Sequence, residues 1–152
     1  MKLDAIDIKI LQILQDNAKL NNKEVASLVG LSTTPTYERI KRLEKNGVIK
    51  KYVAILDNKK VGRSIRVFCN VTLKLHSKKL LDGFETAVIK LDEVLKCYHI
   101  AGDFDYLLEV NVGTMEEYEF FIKNKLASIQ NIANVKSSFV MTSLKESQSV
   151  NL

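Results

Sequence analysis

Between Asn21 and Gly47 two short amphipathic segments are separated by only Gly30-Leu31-Ser32, and that spacing restricts the possible folds more than any other feature of the chain. Asn21 and Glu24 form a capping-box pair that opens a helix with Val25, Leu28 and Val29 on its inner face and Gly30 at its end. Ser32 is an N-cap residue for the next helix, followed by Thr33-Thr34-Pro35; proline is tolerated in a first turn, where it removes no intrahelical N–H bond. That helix runs to about Lys45 and stops at Asn46-Gly47. Upstream, Asp4 precedes Ile6, Ile10, Ile13 and Leu14, spaced as one buried helical face requires. Two helices joined by a short glycine-containing turn predict a helix-turn-helix, whose second member enters the major groove of DNA.

The faces of that second member give the candidate contacts. Tyr37, Ile40 and Leu43 are expected to point inward, leaving Thr36, Arg39 and Arg42 as an outer stripe beside Thr33, Thr34 and Lys45. The candidate DNA-binding set is therefore Ser32, Thr33, Thr34, Pro35, Thr36, Arg39, Arg42 and Lys45. Hydroxyls near a helix N-terminus reach base edges or a thymine methyl, arginine bridges guanine or holds phosphate, and the helix N-terminus at Ser32 attracts phosphate. Lys50-Lys51-Tyr52, heading a strand-like Tyr52–Leu56, is placed to form a wing against the backbone. Arg39 and Arg42 would also suit an ordinary solvated face, so the charge distribution matters. The chain's net charge is +5, and up to Arg63 thirteen Lys and Arg stand against seven Asp and Glu, whereas from Ser64 onward ten stand against eleven. A positive field confined to one region is what phosphate binding requires.

Beyond Arg63 the periodicity changes. Val67, Cys69, Val71, Leu73 and Leu75 alternate over Arg66–Leu75, as in a strand with one buried face. A helix over 77–91 buries Leu80, Leu81, Phe84, Val88 and Leu91; strands follow over 94–100 and 106–112. A second helix over 114–128 and a final strand over 135–144 complete a βαββαβ order. The expected fold class is α+β: an N-terminal winged helix-turn-helix plus a ferredoxin-like domain, an antiparallel sheet with two helices on one face. The other sheet face, with Phe68, Asn70 and Thr72, predicts a symmetric dimer, which suits an operator with two half-sites.

Other classes are disfavoured. There is no apolar run of membrane-spanning length and no basic-then-apolar start, so no membrane partner and a cytoplasmic location are expected. Cys69 and Cys97 lie far apart in apolar runs and read as reduced packing residues. No nucleophile–base pair, metal-ligand cluster or phosphate-binding glycine loop is present, so neither catalysis, a metal nor a cofactor is expected.

Two segments carry a resemblance: Leu31-Ser32-x-Thr34-Pro35-x-x-Glu38-Arg39-Ile40-x-Arg42-Leu43-Glu44-x-x-Gly47-x-Ile49, and Gly102-Asp103-Phe104-Asp105-Tyr106-Leu107-Leu108. With these, and with Leu3-Asp4-x-x-Asp7-x-x-Ile10-Leu11, the chain resembles the Lrp/AsnC (leucine-responsive/asparagine, or feast/famine) family of transcriptional regulators over nearly its whole length. The resemblance implies a DNA-binding domain over residues 1–50, a strand and linker over 51–63, and an effector-binding and oligomerisation domain over 64–152. It further implies homodimers assembled into octamers or similar discs on double-stranded DNA, with an amino-acid effector between dimers. The implied effector contacts are His99, Gly102, Asp103, Phe104 and Asp105, opposed by Ser137, Ser138, Phe139 and Val140 of the last strand. Gly102 permits close backbone approach, neighbouring N–H groups hold an α-carboxylate, and Asp105 or Asp103 holds an α-ammonium. His99 and Ser138 stand where leucine-sensing relatives carry larger or less polar groups, which predicts a more polar pocket, although His99 also reads as a plain strand residue. The alternative function is a nucleoid-organising protein that bends DNA without an effector.

Overall fold

Helix α1 (Ala5–Asp16) begins where Asp4 and Asp7 cap each other: the Asp7 N–H donates to Asp4 Oδ1 at 2.8 Å and the Asp4 N–H to Asp7 Oδ2 at 3.2 Å. Helix α2 (Asn22–Val29) carries the expected Asn21–Glu24 capping box and ends at Gly30, whose φ of 74° lies in the left-handed region that glycine reaches without a Cβ penalty. Helix α3 (Thr33–Lys45) starts after Ser32, whose side chain makes no capping bond; the Ser32 carbonyl instead accepts from the Thr36 hydroxyl at 2.9 Å. The three helices share a core of Ile10, Leu11, Val25, Val29, Ile40 and Leu43. On α2 the inner face includes Ala26 in place of the expected Leu28, which is 51% exposed. These helices come from a computed structural model that describes residues 2–152.

The residues up to Ile55 form one compact unit and Leu56–Ser143 a second. Leu144–Leu152 fold back onto the first unit, where Gln15 Nε2 donates to the Val150 carbonyl at 3.1 Å and the Val150 N–H returns a bond to Gln15 Oε1 at 2.7 Å. The sequence places this tail with the C-terminal domain, because a polar Ser/Gln/Asn run carries no periodicity to tie it anywhere. Residues 52–56, expected to form the strand of a wing, form no strand pairing among the described residues; Tyr52 donates to Glu44 Oε1 at 3.0 Å.

The second unit is a four-stranded antiparallel sheet in the order β2-β3-β1-β4, with β1 (Ile65–Leu73), β2 (Val94–His99), β3 (Tyr106–Val112) and β4 (Ile132–Phe139). Helix α4 (Lys78–Val88) and helix α5 (Met115–Phe120) cover one face, where Val67, Cys69, Val71, Leu108 and Val110 pack on Phe84, Val88, Tyr118 and Phe121. The expected βαββαβ order holds. Its boundaries shift where pairing, not composition, decides them. Strand β1 ends at Leu73, and Leu75 is exposed. Strand β4 starts at Ile132, opposite Leu73, and ends at Phe139, because the Val140 N–H bonds the Arg66 carbonyl and β1 then runs out of partners. The second helix does not stay α-helical to 128: a π-helical turn (Phe121–Lys125) and a 3-10 turn (Leu126–Ser128) follow Phe120.

Candidate nucleic-acid interface and ligand loop

On α3 the inward residues are Thr36, Ile40 and Leu43: Ile40 and Leu43 face inward as expected, and Thr36 takes the place expected of Tyr37. Thr36 is fully buried, while Tyr37, expected inside, is 45% exposed. The error is physical: a threonine whose hydroxyl returns to the carbonyl four residues back has no polar group left unsatisfied and packs as an apolar residue. The outward stripe is therefore Thr34, Glu38, Lys41 and Lys45, flanked by Thr33, Tyr37 and Arg42. Lys41 pairs with Glu44 at 2.8 Å and lies 5.8 Å from the Tyr37 ring centroid. Ser32 is exposed and Pro35 half-buried at the helix start.

Arg39 and Arg42 occupy a different role from the one their place in the sequence predicts. Arg39 Nη1 donates to Asp4 Oδ2 at 2.6 Å and to Asp7 Oδ1 at 2.8 Å, and Arg42 Nη2 donates to both Asp7 oxygens at 2.8 and 2.7 Å. Asp7 is completely buried, and these charge-assisted bonds, with the Asp4 N–H, satisfy it. Asp4 titrates below the ordinary aspartate range because of the Asp7 backbone N–H and then Arg39, and Arg39 is raised by the same carboxylates, Asp4 first. The two arginines thus fix the roll of α3 against the start of α1. Arg42 remains half exposed and keeps access to a partner; Arg39 is three-quarters covered.

The loop between β2 and β3 shows a comparable internal use of charge. Asp105 Oδ2 accepts from the Leu73 N–H at 2.7 Å and Oδ1 pairs with His76 Nε2 at 2.8 Å, so both oxygens of one candidate for an α-ammonium are engaged. The carboxyl lies below its ordinary range, chiefly through the Leu73 N–H and then through His76. Asp103 is exposed and makes no hydrogen bond or ion pair among the described residues. Gly102 has φ of 138°, and a Cβ there would meet nothing within 4 Å, so the backbone is open to a ligand. His99 stacks on Tyr106 with centroids 4.7 Å apart and rings 17° from parallel. Sequence reasoning missed His76 and Asp7; an acid three residues inside a helix start, followed by two arginines on a facing helix, was the available signal for Asp7.

The last strand does not meet this loop within one chain. Tyr106 pairs with Val71, and Val71 with Val135, so β1 lies between the loop's strand and β4. Val140 is five residues along from Val135, roughly 17 Å at the rise of a strand, and in the direction away from the loop. Ser137 and Ser138 also point to opposite sheet faces: Ser137 sits beside Cys69 and bonds Tyr118 Oη at 2.5 Å, whereas Ser138 sits beside Phe68.

Comparison with known proteins agrees with this two-part organisation. Residues 3–50 match a winged helix-turn-helix DNA-binding family and residues 66–150 the Lrp/AsnC ligand binding domain. The chain is 37% identical over 143 residues to a Bkd operon transcriptional regulator of Pseudomonas aeruginosa, covering 94% of each chain. It is 37% identical over 148 residues to the DNA-binding transcriptional activator DecR of Escherichia coli, covering 97% of each. Among solved structures, a transcriptional regulator from Neisseria meningitidis in complex with L-methionine superposes with a TM-score of 0.94 at 35% identity, over 99% of this chain and 97% of that one. The helix-turn-helix, the βαββαβ sheet and these matches together establish that the chain belongs to the Lrp/AsnC family of DNA-binding transcriptional regulators.

Proposed function

We propose that this regulator reads double-stranded DNA with the outward stripe of α3 and that an amino acid bound at the Gly102–Asp105 loop modulates that binding by altering subunit assembly. The observation that carries the first part is the exposed face of α3, where Thr34, Glu38, Lys41 and Lys45 stand in line while Arg39 braces the helix from within. Ser32, Thr33, Thr34 and Pro35 form the end that enters the groove, and Arg42 and Lys45 lie toward the phosphates. Glu38 has no ion pair among the described residues and is suited to accept from a cytosine amino group. Selection of duplexes from a random library tests this: Glu38→Ala relaxes one base position while overall affinity holds or rises. Unchanged sequence preference for Glu38→Ala and for Thr34→Ala overturns the assignment.

The effector reading rests on the methionine complex of the Neisseria relative and on the open Gly102 backbone. Asp103 is the better partner for an α-ammonium, because Asp105 is held by Leu73 and His76. Since Ser137, Ser138 and Val140 lie away from the loop in one chain, a complete pocket needs the last strand of another subunit. That favours a dimer through the sheet faces and a further assembly, such as an octamer, through the pockets, acting in the cytoplasm on the nucleoid. Calorimetric titration with the twenty amino acids checks it, and leucine as the tightest ligand defeats the polar-pocket expectation from His99 and Ser138.

A further inference from the structure

Past the end of α3 the chain is held at Ile49 and again at Tyr52. The Val48 and Ile49 N–H groups both donate to the Leu43 carbonyl, at 3.0 and 3.2 Å. From Lys50 to Leu56 no backbone group is bonded, and the Tyr52 hydroxyl, donating to Glu44 Oε1 at 3.0 Å, makes the only hydrogen bond of that segment among the described residues. The Tyr52 ring lines a small hollow with Leu14, Leu20 and Ile40. Burial, and then Glu44, push the Tyr52 hydroxyl up to about 12, so it keeps its proton and remains a donor at neutral pH. The other Glu44 oxygen takes Lys41 Nζ at 2.8 Å, and that ammonium holds the carboxyl below the ordinary glutamate range.

Lys50 and Lys51 stand between those two anchors, exposed and with no ion pair among the described residues. Adjacent residues of α3, Leu43 and Glu44, provide both anchors, so the two lysines form a short arch tied to the end of the helix that carries Lys45. A free segment loses backbone and rotamer freedom when its lysines settle on phosphate; an arch fixed before binding loses less, and so holds phosphate more strongly. We propose that Tyr52 is a positioning residue for DNA binding: its bond to Glu44 pins Lys50 and Lys51 where they meet the phosphate backbone beside α3, in place of a strand-paired wing. This rests on the reading that α3 docks in the groove with Lys45 toward the phosphates. The latch meets phosphate and no base, so it sets affinity and leaves sequence preference alone.

The salt dependence of affinity of the full chain for one selected duplex tests this, measured for Tyr52→Phe, for Lys50→Ala with Lys51→Ala, and for all three together. Tyr52→Phe keeps the ring and the net charge; it is expected to weaken binding about fivefold, the weight of one hydrogen bond, with the base preference selected from a random library unchanged. In the unmodified chain, replacing both lysines should lower the slope of log affinity against log salt by about 1.8, about 0.9 for each phosphate. In the Tyr52→Phe background the same replacement should lower it by less than about half as much, a coupling that a merely stabilising tyrosine would not produce. Thermal unfolding confirms that each variant folds. The proposal is overturned by unchanged affinity in folded Tyr52→Phe, by lysine replacements that leave the slope untouched, or by equal slope losses in the two backgrounds. Lys45→Ala on the same duplex separates the two readings: an unchanged slope there contradicts the docking of α3 itself, whereas a slope lowered there, with equal lysine losses in both backgrounds, removes the latch alone.

Discussion

On α3 the polar groups that face inward are tied to neighbours, Thr36 to the Ser32 carbonyl and Arg39 to Asp4 and Asp7, while Thr34, Glu38 and Lys45 face outward for a partner. In the Gly102–Asp105 loop the group best placed by sequence to meet a ligand, Asp105, is the one tied down, and Asp103 and the Gly102 backbone remain. The reading helix is complete in one chain and braced by a buried carboxylate. On the proposed effector reading, the loop supplies only half of a pocket. Such a division suits a regulator whose DNA-reading surface is constant and whose control depends on assembly.

The sharpest way to break this contrast is to remove the brace. Asp7→Ala deletes the acceptor of three arginine hydrogen bonds and is expected to destabilise the N-terminal unit by about 2 kcal/mol. Because both arginines are partly exposed and recover water, the loss is smaller than for a fully buried ion pair. Urea unfolding followed by circular dichroism measures it, and a change below about 0.5 kcal/mol would show that Asp7 is not a brace.

The two loop aspartates separate ligand binding from loop order. Asp103→Asn is expected to weaken effector binding about tenfold with unchanged thermal stability, since Asp103 makes no hydrogen bond or ion pair among the described residues. Asp105→Asn is expected to lower stability by about 1 kcal/mol, through loss of the charged acceptor for the Leu73 N–H and His76. Equal effects of the two on calorimetric affinity and on melting would erase the distinction.

A smaller effect is expected with pH. The folded Asp105 carboxyl titrates below the ordinary aspartate value of 3.8, so its contribution to stability is present above that pH and is lost as pH falls through the lower folded value. Hydrogen exchange at the Leu73 amide should accelerate, relative to other β1 amides, only in that acidic window.

Much of the molecule was readable from its sequence. Asp4, the Asn21–Glu24 box and Gly30 announce three helices because caps are local chemistry. The alternation in β1 announces a half-buried strand. What sequence could not supply depends on distant partners. The role of Arg39 turns on a carboxylate thirty-two residues away, whereas the burial of Thr36 in place of Tyr37 is a local matter of its hydroxyl closing on the Ser32 carbonyl. Strand β4 ends where the start of β1 leaves it no further partner, not where its own apolar pattern does. The separation of Ser137, Ser138 and Val140 from the loop follows from strand order, which puts β1 between them.

The central claim, that α3 reads DNA with its Lys45 side while Arg39 serves as an internal brace, is tested most directly by the salt dependence of DNA affinity for Lys45→Ala and Arg39→Ala on one selected duplex. For Lys45→Ala the slope of log affinity against log salt should fall by about 0.9 with the melting temperature unchanged, as loss of one phosphate contact requires. For Arg39→Ala the slope should hold while stability falls by about 1 kcal/mol. A reduced slope for Arg39→Ala, together with an unchanged slope for Lys45→Ala, would contradict the account.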